Sequence, residues 1–71
     1  MKINPAALTA IREQSGYLKS TLADMAGVSR SHITDIERGS RTASDDMIRK
    51  LADALHCPVA ALVTDPAEVA S

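Results

Sequence analysis

The chain has 71 residues, a hydrophobic fraction of 45%, one aromatic residue and a formal net charge of −1. That length holds one small domain with little core to spare, and that hydrophobic share excludes a disordered chain. No apolar run reaches membrane-spanning length, no signal-peptide pattern is present, and Cys57 has no second cysteine to pair with. The expectation is a soluble, cytoplasmic protein without an intramolecular disulfide.

With Tyr17 the sole aromatic residue, the core must come from Ala, Leu, Ile, Val and Met. No alternating β-branched run marks a strand, so the expected fold class is all-α. Asn4-Pro5 reads as an N-cap followed by the first helical position, where proline's missing amide costs nothing. This first helix is expected to run to about Ser15, with Ala7, Leu8 and Ile11 inward, and to end at Gly16. Lys19 opens a second helix, for which Leu18 is a poor cap. Leu22 and Ala26, four apart, share its inner face, and Gly27 can take the positive φ that ends it. Ser29 then caps a third helix, whose Ile33 and Ile36 face inward. Ala23 is small where the third helix would cross the second closely. Two short helices meeting steeply through a tight turn containing Gly form the helix-turn-helix pattern.

After a polar loop, Gly39 to Ala43, Ser44 caps a fourth helix with Asp45 and Asp46 in its first turn, where the macrodipole favours negative charge. Met47, Ile48, Leu51, Ala54 and Leu55 form its inward stripe, while Arg49, Lys50 and Asp53 point away. Pro58 is expected to start a short fifth helix with Val59, Leu62 and Val63. The expected organisation is one domain over residues 1–63 and a flexible tail over 64–71.

Leu22-Ala23, Ala26-Gly27-Val28-Ser29, and Ile33 with Ile36-Glu37-Arg38-Gly39 stand in register over some twenty residues. Together they resemble the Cro/cI-type (Xre-family) helix-turn-helix of phage repressors and related bacterial regulators, and the resemblance extends from about Leu8 to Val63. It implies a compact five-helix, lambda-repressor-like domain that binds double-stranded operator DNA and acts as a transcriptional repressor, such as a phage immunity repressor or its N-terminal domain. It also implies a homodimer on DNA, or a further C-terminal domain, since this chain has no long dimerisation helix. The sequence departs from the family at Leu18, where Ser or Thr is usual, and at His56, where Gly commonly forms a left-handed cap.

In such an arrangement the second helix of the motif enters the major groove, where each base pair presents a distinct set of donors and acceptors. The groove-facing positions of helix 3 must be polar and lie off the stripe of Val28, Ile33 and Ile36. Arg30, Ser31, Thr34 and Asp35 meet both conditions and are the candidate base contacts. A guanidinium at Arg30 can bond guanine O6 and N7 together. Asp35 can accept from cytosine N4 or instead orient Arg38, three residues on. Candidate phosphate contacts are Lys19, Ser20, Ser29, His32, Arg38 and Arg41, joined by the amides at the helix N-termini. Lys19 stands where the family often has a backbone-bonding Gln. The resemblance further implies that Glu37 pairs with Arg12 as a structural salt bridge.

Residues 1–41 carry six cationic side chains against four acidic ones, and residues 42–71 carry two against five. The basic end is the one bearing the motif, although so few positive charges imply weak non-specific DNA affinity. Two rival classes follow from the remaining residues. An enzyme or metal site would have to use His32, His56 or Cys57, and would need a third ligand or an orienting carboxylate in a pocket, for which a domain of this size offers little concavity. A non-enzymatic protein with no cofactor, metal, membrane or small-molecule substrate is therefore expected. An antitoxin or controller-type regulator, acting mainly through a protein partner, would use Val59, Leu62, Val63 and Val69 as an exposed face on helix 5.

Overall fold

A computed structural model describes residues 1–64. Its elements are α1 (Pro5–Gln14), α2 (Lys19–Ala26), α3 (Arg30–Arg38) and α4 (Asp45–Leu55), followed by one 3-10 turn at Val59–Leu62. The caps follow local chemistry. The side chains of Asn4, Ser29 and Ser44 accept from the amides of Ala7, His32 and Met47 at 3.3, 3.2 and 3.2 Å. Leu18 has nothing to offer at the start of α2, which begins without a side-chain cap. Helix α1 stops at Gln14, one residue earlier than its pattern predicts, with Ser15 in the cap position.

The fifth helix is a correction: residues 59–62 form a 3-10 turn, so the described residues hold four α-helices and not five. A segment that opens after Pro58 and must turn at once to meet α1 and α4 is too short to close a stable α-helical ladder.

Gly27 ends α2 at φ 74, and its amide bonds back to the carbonyls of Ala23 and Asp24. A Cβ there would meet no atom within 4 Å, so the backbone angle, not space, calls for glycine. The turn lets α2 pack on α3, with Ala23 only 2% exposed between them. Helix α2 also packs on α4, and α1 on α3. The centre holds Leu8, Leu22, Ile33, Ile36, Ile48, Leu51 and Leu62, all fully buried. Ala52 is buried as well, so the inner stripe of α4 is wider than its sequence pattern indicates.

One long-range contact has no sequence signal. Ile3 and Val63 form an isolated antiparallel bridge, flanked by Asn4 N–H donating to the Leu62 carbonyl at 2.8 Å and Thr64 N–H donating to the Lys2 carbonyl at 2.9 Å. This clasp closes the domain and buries Ile3 and Val63. It also overturns the exposed face expected of helix 5, because Leu62 is 0% and Val63 4% exposed. Val59 packs partly buried against the core, and Val69 lies outside the described residues, as does the expected flexible tail beyond Thr64.

His56 closes α4 in the left-handed region, at φ 53 and ψ 43. A side chain there costs about 1 kcal/mol or more, and His56 is exposed, so its imidazole makes no compensating burial. His56→Gly is expected to raise stability by about 0.5–1 kcal/mol, after allowing for the extra freedom glycine gives the unfolded chain. A urea midpoint that stays put or falls would show that the imidazole is held by something the cap geometry does not include.

Candidate nucleic-acid interface

The site is built on α3. At 3.6 residues per turn, Arg30, Ser31, Thr34, Asp35 and Arg38 fall within an arc of about 140°, opposite Ile33 and Ile36. These five side chains line one surface recess. The four expected base-contact residues and Arg38 are thus on one face. His32 lies on the flank of the helix, half-buried, and Ser29 stands at its N-cap with its oxygen engaged by the His32 amide.

A second recess lies where α1 and the starts of α2 and α3 converge, lined by Arg12, Leu18, Lys19, Ser20 and Arg30. Arg30 lines both recesses, which makes it the hinge point of the surface. Leu18, noted in the sequence only as a poor cap, is 69% exposed and an apolar member of this second recess. Arg41 is exposed in the loop after α3, beyond Gly39, whose φ of 80 ends the helix. Ser40 secures that turn through its amide and hydroxyl, both donating to the Asp35 carbonyl at 3.0 and 3.2 Å.

What holds α3 at its angle is a buried ion pair. Arg12 Nε donates to Glu37 Oε2 at 2.7 Å and Nη2 to Glu37 Oε1 at 3.2 Å, while Nη1 donates to the Tyr17 carbonyl at 2.8 Å. The two side chains are 10% and 6% exposed. One guanidinium therefore ties α1, the α1–α2 connection and the inner edge of α3 together. Its pKa is raised, first by the hydrogen bond to Glu37, against an opposing effect of burial, and further by the charges of Glu37 and Glu13. Because the shift is upward, deprotonation of this arginine removes its stabilisation only at strongly alkaline pH, as pH rises through the raised value.

The pairing of Asp35 with Arg38 does not occur: among the described residues, no ion pair within 4.0 Å joins Asp35 to any cation. The three-residue spacing permits such a pair, but both side chains turn instead to the outer recess. Elsewhere, burial pushes the Cys57 thiol up from its ordinary value. No group of three or more His, Cys, Asp or Glu among the described residues is arranged to hold a metal ion, and no described helix is long and apolar enough to cross a membrane.

Comparison with known proteins gives a consistent result. The sequence model of the helix-turn-helix family matches residues 8–62. The restriction-modification controller protein C.AhdI from Aeromonas hydrophila is similar at 35% identity and a TM-score of 0.78, over 80% of this chain and 86% of that one. The clp gene regulator ClgR from Corynebacterium glutamicum is similar at 27% identity and a TM-score of 0.79, over 94% of this chain and 87% of that one. The P22 c2 repressor, solved in complex with a synthetic operator, shares the fold at a TM-score of 0.81 and 23% identity, over 90% of this chain and 97% of that one. No curated protein matches the sequence. With its recognition-type helix, its left-handed glycine turn and this match over most of its length, the chain belongs to the Cro/cI-type helix-turn-helix family of DNA-binding regulators.

Proposed function

We propose that this protein binds double-stranded DNA sequence-specifically through the major groove and represses transcription, in the manner of a phage immunity repressor or its N-terminal domain. The observation that carries the reading is the outer face of α3, where two arginines, two hydroxyl residues and a carboxylate share one recess with no apolar side chain among them. An α-helix fits the major groove, and these are the donor and acceptor types that read base edges there. Arg30, Ser31, Thr34 and Asp35 then meet bases. Lys19, Ser20, Ser29, His32, Arg38 and Arg41 meet the backbone, the Ser29 hydroxyl by donating its proton while its oxygen keeps the cap. The uncapped first turn of α2 leaves amide donors directed at the same backbone. Two protomers on half-sites one helical turn apart, roughly 34–36 Å, make the complete complex. Such a protein works in the cytoplasm and takes no cofactor or small-molecule substrate.

A second reading is a controller-type regulator, favoured by the 35% identity to the restriction-modification controller. It shares the DNA-binding face and differs in the genes governed. A version acting mainly through a protein partner on residues 59–63 is disfavoured by the burial of Leu62 and Val63.

Salt dependence tests the placement of charge. Arg12 is held by Glu37; with Arg30 assigned to a base in this reading, Lys19, Arg38 and Arg41 remain for phosphates. Each domain should then lose affinity for a random duplex with a log–log slope of about −3 against salt concentration. A slope near zero would contradict backbone binding by this surface.

A further inference from the structure

We propose that Asp35 is a specificity-determining residue that selects cytosine at one operator position and repels the alternatives; this rests on the DNA-binding reading above. The carboxylate lies in the recess with Arg30, Ser31, Thr34 and Arg38, and it is half-buried. Two guanidiniums share that recess, yet neither comes within ion-pair distance of it, and among the described residues no other cation does. Its own backbone carbonyl carries the Ser40 bonds, so the turn after α3 does not depend on the side chain. An acidic group kept unpaired on a face that meets phosphates weakens attraction to every DNA sequence alike. What it gains is discrimination.

The chemistry of the groove names the base. A carboxylate offers only acceptors, so its partner must be a donor. The major-groove donors are cytosine N4 and adenine N6. Adenine sets its N7 acceptor beside N6, which faces the second carboxylate oxygen with like polarity. Cytosine has no acceptor on its own major-groove edge beside N4. Guanine O6 and N7 and thymine O4 are acceptors and repel the group outright. The discrimination therefore comes as much from rejection as from attraction.

Asparagine is nearly the same shape and presents one donor and one acceptor, the pair that adenine N7 and N6 match. The test is selection of duplexes from a random pool with the wild type, Asp35→Asn and Asp35→Ala, with thermal melting run in parallel. Because the side chain makes no hydrogen bond or ion pair among the described residues, all three should melt alike. The expected result is a wild-type motif with one cytosine that becomes adenine with Asp35→Asn and degenerate with Asp35→Ala, all other positions unchanged. The base preference at that position should shift by about tenfold, and both variants should bind a random duplex more tightly at low salt. One motif shared by all three proteins would overturn the role of Asp35 while leaving DNA binding intact. Absence of any motif with any of them would overturn the DNA-binding reading itself.

Discussion

Replacing Glu37 with alanine is expected to destabilise the domain by about 3–5 kcal/mol, most of what a domain of this size has. The reason is the state in which Arg12 is left. Arg12 is 8% exposed and donates three hydrogen bonds, two of them to Glu37. Without the carboxylate, a largely buried guanidinium keeps only the Tyr17 carbonyl as a partner. The attraction itself is a smaller quantity than this loss, because forming the pair required both groups to leave water. Replacing both residues by Met should therefore cost less than removing Glu37 alone. Urea unfolding of the single and double variants decides the matter. A loss under about 1 kcal/mol for Glu37→Ala would place the pair with ordinary surface salt bridges.

Arg30→Ala is expected to remove about 1–3 kcal/mol of discrimination at a single base position of the preferred site. Its fold should be untouched, since Arg30 is exposed at the first position of α3 and takes part in no ion pair among the described residues. This side chain lines both recesses and so spans the surface from the start of α2 to the outer face of α3. Titrations against the preferred duplex and its single-base variants separate the two roles open to an arginine there. A base contact relaxes preference at one position. A phosphate contact lowers affinity for all duplexes equally and makes the salt slope shallower by about one.

The parts of the fold written locally were legible in the sequence. Asn4, Ser29 and Ser44 cap helices because their side chains reach an amide one turn on, and Gly27 takes its left-handed turn because nothing else does so cheaply. The outer face of α3 was legible for the same reason, as a helix of known phase shows which side chains oppose Ile33 and Ile36. Non-local features were not. Nothing near Ile3 announces that it will pair with Val63, and that pairing buries the residues expected to lie open on a fifth helix. Arg12 and Glu37 are 25 residues apart, and the family resemblance, not their spacing, brought them together. Spacing misled at Asp35, where a favourable distance to Arg38 in sequence produced no ion pair. Helical periodicity fixes which residues can meet, and rotamers fix which do.

Everything proposed for this surface depends on sequence-specific readout by α3. The most direct measurement is enrichment of bound duplexes from a random pool, at low and moderate salt, with the wild-type protein and Arg30→Ala side by side. One enriched motif is expected, with two half-sites a helical turn apart, losing preference at a single position per half-site in the variant. A pool that stays random at both salt concentrations would contradict it.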